Sequence, residues 1–126
     1  LILFLVSVPG VMGISNIMLA NNICDMEDDL ENHRYTLPLY IGREKALALF
    51  KMLYYTSYAD ILLLLILNIL PLTTIPVLFT VFPVRNNISK FMKIQSKRDT
   101  FPVAIQNFLV INVSLILFLI PALFLR

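Results

Sequence analysis

Residues 20–42, ANNICDMEDDLENHRYTLPLYIG, open at the end of an apolar run and close at a glycine. Five of the eight acidic residues, Asp25, Glu27, Asp28, Asp29 and Glu31, fall within this stretch. On both sides the chain is mainly apolar. Of its 126 residues 59% are hydrophobic and 14% charged, with a mean hydropathy of +0.83. Soluble domains carry about a quarter charged residues, so these values point to an integral membrane protein. The net charge of +2 offers no broad basic face for nucleic acid. The single cysteine, Cys24, cannot close an intrachain disulfide. No strand periodicity and no internal repeat is visible, and the expected class is all-α, a polytopic membrane helix bundle.

Upstream, Leu1 to Val8 is too short to cross a bilayer, which takes about 20 helical residues, and reads as the end of a longer helix. Neither a basic leader nor a small-residue cleavage pattern marks it as a signal peptide. Pro9 suits the first turn of a helix, where its missing N–H costs nothing, so a first span is expected over 9–29. A helix running from Leu1 and kinked at Pro9 is the alternative. Gly10 and Gly13 share a face and permit close approach of a neighbouring helix. Residues 30–42 read as a connecting loop.

Downstream, spans are expected over 43–70, over 72–84 with a bend at Pro83, and over 102–125. Residues 86–100, with four basic residues among apolar ones, form an expected interfacial connector anchored to anionic headgroups. Nine of the ten basic residues then lie on one side of the membrane together with the acidic stretch, and that side is expected to be cytoplasmic.

Within the acidic stretch, Asp25 and Asp29 stand at i and i+4 on a helix, with Asp28 near the same face. Like charges in that arrangement repel, and both sit at the negative end of the helix dipole. A divalent cation reverses the sign of both effects. One or two carboxylates, with waters and a substrate phosphate, are what Mg²⁺ prefers. Asn21 and Asn22, one turn earlier, can add amide contacts to metal or ligand, and Arg34 can fork onto a phosphate. The simpler possibility is a solvated helix end, the usual meaning of a charge run. A transporter or channel fragment with a cation site at Asp25 and Asp29 is a further alternative, although such sites more often lie near mid-membrane. Asp60, inside the second span, is a functional candidate or an interhelical hydrogen-bond partner, the latter favoured. His33 reads as exposed and Cys24 as a packing residue. Tyr54, Tyr55 and Tyr58 read as an interfacial belt.

The run Ala20 to Asp29, followed by Arg34, Thr36-Leu37 and Gly42, resembles the second aspartate-rich motif of the UbiA superfamily of intramembrane aromatic prenyltransferases. The double Asn and the Thr-Leu are most similar to the branch that prenylates 1,4-dihydroxy-2-naphthoate in menaquinone biosynthesis. The likeness covers about 25 positions, and the later hydropathy fits the last helices of that fold. It implies Mg²⁺-dependent transfer of a polyprenyl group from an allylic diphosphate to an aromatic acceptor in a bacterial cell membrane. Asp25 and Asp29 would be the catalytic pair and would hold the metal together with Asp28. Asn21, Asn22 and Arg34 would bind substrate. Cys24 and Tyr35 stand where relatives often carry Arg, and His33 where Gly is common. The family's first aspartate-rich motif is absent from these residues. The chain is therefore expected to be the C-terminal part of such an enzyme, inactive without the preceding helices.

Overall fold

The computed structural model describes residues 1–124 and is helical from end to end. In chain order the α-helices are α1 (Ile2–Cys24), α2 (Met26–Glu31), α3 (Leu37–Ile41), α4 (Arg43–Ile66), α5 (Val81–Lys93) and α6 (Pro102–Leu119). Two 3₁₀ segments, Leu72–Thr80 and Ile120–Leu123, precede α5 and follow α6. Among the described residues three helices are long and apolar enough to cross a membrane: Ile2–Cys24, Arg43–Ile66 and Pro102–Ala122. At 1.5 Å per residue each measures about 32–36 Å, a little more than a hydrocarbon core. Leu125 and Arg126, at the end of the expected last span, lie outside the described residues.

The first span differs from the expected 9–29 at both ends. It begins at Ile2 and passes through Pro9, which is buried inside the helix. Apolar residues run from Leu1 with only Ser7 between them up to Pro9, and neighbouring helices make an interior proline tolerable in such a span. It ends at Cys24, where Asp25 (φ −94°, ψ 7°) closes α1 and opens α2. Restarting at Met26 places Glu27, Asp28 and Asp29 in a first turn, but α2 is six residues long, so Asp28, Asp29 and Glu31 fall in its last turn as well and the helix dipole does not account for the break. The stretch 30–42, expected as loop, holds the single-turn α3 with Pro38 near its start, and Gly42 takes φ +84°, a conformation that side chains disfavour.

The second span stops at Ile66 rather than Leu70, and the chain reverses through Asn68 at φ +55°, which asparagine accepts more readily than most residues. The expected third span over 72–84 is not formed as such. Its apolar part winds as 3₁₀ helix, and α5 carries on past Arg85 to Lys93, so the polar residues belong to the helix instead of following it. Pro83 causes no break because it occupies the first turn of α5, where N–H groups have no intrahelical acceptor. The expected connector 86–100 is thus half helix and half turn.

The segment from Leu72 to Lys93 runs antiparallel to α4. The Phe50 and Phe91 ring centroids are 4.6 Å apart, and the Tyr58 and Thr80 hydroxyls are 2.8 Å apart. At the polar end Arg43 Nη1 donates to Gln95 Oε1 at 3.4 Å. Phe50, Tyr54, Ile61, Phe91, Ile111 and Ile23 form the core, while Phe4, Val11, Ile14 and Met18 of α1 point outward, as lipid-facing residues do.

In a span-length bundle apolar burial cannot drive helix association, because lipid is as apolar as leucine; close packing and interhelical hydrogen bonds must do so. Asn16 Nδ2 donates to the Phe50 carbonyl at 3.0 Å, Asn87 Nδ2 to Asn107 Oδ1 at 2.9 Å, and Thr73 Oγ1 to the Phe118 carbonyl at 2.7 Å. The helix that approaches the glycine face of α1 is α6. A Cβ at Gly13 would lie 2.7 Å from Phe108 Cδ2, whereas one at Gly10 would meet only Asn112 Oδ1 at 3.5 Å. Gly13→Ala is therefore expected to destabilise the bundle by about 1 kcal/mol, the low end of overpacking costs. Gly10→Ala should stay within about 0.5 kcal/mol of the parent. Reversible unfolding in mixed micelles, followed by circular dichroism, measures both, and equal effects would refute the close approach.

Candidate functional site

The break at Asp25 decides where the acidic side chains go. Asp29 N–H still donates to the Asp25 carbonyl at 2.7 Å, so the two residues remain one turn apart, but their carboxylates serve different neighbours.

Asp25 faces the turn after α5. Its Oδ2 accepts from Asn21 Nδ2 at 3.1 Å and from the Lys97 ammonium, which also donates to Asn21 Oδ1. Lys97 further lies 5.5 Å from the centroid of the Phe101 ring. The turn that carries it is held by Thr100, whose hydroxyl accepts from Ser96 N–H at 2.8 Å and donates to the Ile94 carbonyl at 2.8 Å. Lys97, expected among the lipid-anchoring residues of the connector, instead pairs with an acid 72 positions away.

Asp29 is buried, with 6% of its side chain exposed. Its Oδ2 accepts from Thr36 Oγ1 at 3.1 Å, and its Oδ1 lies 3.8 Å from Arg34 Nε. The Arg34 N–H donates to the Asp29 carbonyl at 2.7 Å. Asp29 thereby pins the turn through His33, whose φ of +55° needs such support. The Arg34 guanidinium is 73% exposed and can reach a ligand. Asp28 is exposed, and Asn22 is half-buried; neither side chain makes a hydrogen bond among the described residues. Arg43 Nη2 approaches Glu27 Oε1 at 3.7 Å, tying α2 to the start of α4.

Of the expected site residues, Asn21 and Asp25 come together on one cation. Asp29 joins Arg34 on the other side of the turn. Among the described residues no three His, Cys, Asp or Glu side chains form a metal-holding group. The pair Asn21 Oδ1 and Asp25 Oδ2 nevertheless fits a share of a Mg²⁺ shell. Two hard oxygens already converge on a positive group, and Mg²⁺ commonly takes only one or two protein carboxylates. Lys97 is the functional candidate missed in the linear sequence, where nothing links it to Asn21 and Asp25. Thr36 belongs to the motif that resembles a known family, but its contact with Asp29 becomes visible only in the fold.

The chain matches no family model, no curated protein and no solved structure.

Proposed function

We propose that the chain is the C-terminal part of a Mg²⁺-dependent membrane prenyltransferase of the UbiA type. It would move a polyprenyl group from an allylic diphosphate to an aromatic acceptor, 1,4-dihydroxy-2-naphthoate, at the cytoplasmic face of a bacterial cell membrane. The observation that supports this reading is the convergence of Asn21 Oδ1 and Asp25 Oδ2 on one cation at the end of a span-length helix, with Arg34 exposed beyond α2.

In this reading Asp25 and Asn21 would present oxygens to the metal, in competition with the Lys97 ammonium. A Mg²⁺ held there would supply charge stabilisation to the diphosphate leaving group. The Lys97 ammonium and the fork of Arg34 would pair with diphosphate oxygens. Asp29 keeps Arg34 at hand and the turn in shape.

Mn²⁺ is the probe for the metal. Electron paramagnetic resonance of the purified chain should show bound Mn²⁺, lost in Asp25→Asn and severalfold stronger in Lys97→Gln, which removes the competing ammonium. Unchanged Mn²⁺ binding in both variants defeats the assignment.

One observation favours a second reading, a cation-transporting subunit. Asp60 lies well inside α4, and its Oδ2 is buried without a hydrogen-bond partner among the described residues. Uptake of Mn²⁺ into vesicles, abolished by Asp60→Asn, would decide for that reading.

A further inference from the structure

On the outer side of α4, facing α5, a groove of about 420 Å³ is lined by Lys51, Tyr55, Arg85, Ser89, Met92 and Lys93. Its three cations come from two helices and converge without a counter-ion. The ion pairs among the described residues are Arg34 with Asp29, Arg43 with Glu27 and Lys97 with Asp25, so Lys51, Arg85 and Lys93 have no carboxylate partner. Lys51 Nζ lies 6.0 Å from the Tyr55 ring centroid, which orients the ammonium but leaves its charge uncompensated.

The level of the groove makes that charge significant. The Phe50–Phe91 and Tyr58–Thr80 contacts set the antiparallel register and bring Arg85 near the level of Tyr55. This is about 18 Å along α4 from Arg43, while Lys93 lies close to the polar end. The groove thus descends from the basic end of the bundle along a helix of span length. Cationic side chains at such depth are costly unless paired or drawn toward the interface. Here the described protein supplies no pair, and the cations converge on one space beside the exposed Met92.

We propose that this groove holds the headgroup of an anionic phospholipid. Its phosphate lies among Lys51, Arg85 and Lys93, it accepts hydrogen bonds from the Ser89 and Tyr55 hydroxyls, and an acyl chain passes beside Met92. Arginine and lysine together suit this group, the guanidinium forking onto two phosphate oxygens and the ammonium groups acting as point charges. The occupant is set by the charge and by the apolar continuation, and it is independent of the reaction proposed at Asp25.

Native mass spectrometry of the purified chain, released from micelles containing phosphatidylglycerol or phosphatidylcholine, tests it. One phosphatidylglycerol should be retained per chain and phosphatidylcholine should not. Lys51→Gln/Arg85→Gln/Lys93→Gln should weaken retention about 100-fold, the summed worth of three basic groups beside an anionic headgroup. Arg34→Gln/Arg43→Gln/Lys45→Gln removes equal charge outside both the groove and the connector and should retain the lipid. The single variant Arg85→Gln, milder for folding, should weaken retention in the same direction. Equal loss in the control triple variant, or equal retention of the two lipids, overturns the site. Displacement of the lipid by millimolar inorganic phosphate would show that the groove reads free phosphate instead.

Discussion

Asp25→Asn in the complete protein should lower Mg²⁺-dependent prenyl transfer by about 10²–10³-fold, the scale on which one preorganised electrostatic stabiliser acts. Asparagine has the shape of aspartate and keeps an oxygen toward Lys97, so the change removes the charge and little else. Stability should hardly move. The Asp25–Lys97 pair is open to water, at 26% and 50% side-chain exposure, and ion pairs so exposed contribute about 0–1 kcal/mol. Activity and folding are thereby separable. Turnover measured across Mg²⁺ concentrations should show the loss persisting at saturating metal, while thermal unfolding stays within a few degrees of the parent, as expected for a change of about 1 kcal/mol or less. Normal turnover in Asp25→Asn would leave the carboxylate as a tether for the Lys97 turn and nothing more.

How much of this was legible beforehand depends on how local each cause is. Helical class and two of the three span-length helices, α4 and α6, follow from hydropathy and length, because both read directly from neighbouring residues. Pro9 shows the limit. A proline satisfies the chain equally as the first residue of a helix or, in a lipid-facing bundle, within one, and nothing beside it in sequence separates the two cases. Pro83 misleads in the opposite sense: expected at a bend, it lies in the first turn of α5, because the preceding nine residues are 3₁₀ helix. The end of α1 at Cys24 does not follow from charge, because the six-residue α2 carries Asp28, Asp29 and Glu31 in its own last turn. Lys97 could not be placed from sequence either. Its place against Asn21 and Asp25 depends on the antiparallel return of α5 and on the Ser96–Thr100 turn, and the separation in sequence conceals both. The groove of Lys51, Arg85 and Lys93 is hidden for the same reason, as it joins cations from two helices whose register is set by aromatic contacts.

Asp29 separates two roles that the spacing of the motif merges. If Asp29 acts mainly by pinning the turn, what matters is an oxygen that accepts from Thr36. Asparagine keeps that acceptor, whereas alanine leaves the Thr36 hydroxyl without it and releases Arg34. A hydrogen bond to a charged group is worth about 1.5–3 kcal/mol, and the Arg34 contact at 3.8 Å, with the guanidinium largely in water, adds little. Asp29→Ala is therefore expected to destabilise the protein by about 2 kcal/mol and to lower turnover through misplacement of Arg34. Asp29→Asn should retain most of the stability and part of the turnover, with a raised KM for the diphosphate as the chief defect. A direct metal ligand behaves differently, since neither variant supplies the charge that the ion requires. Both would then abolish turnover alike, and Mn²⁺ binding would fall in Asp29→Asn as far as in Asp25→Asn. The buried position of Asp29, with one oxygen on Thr36 and the other toward Arg34, favours the first outcome.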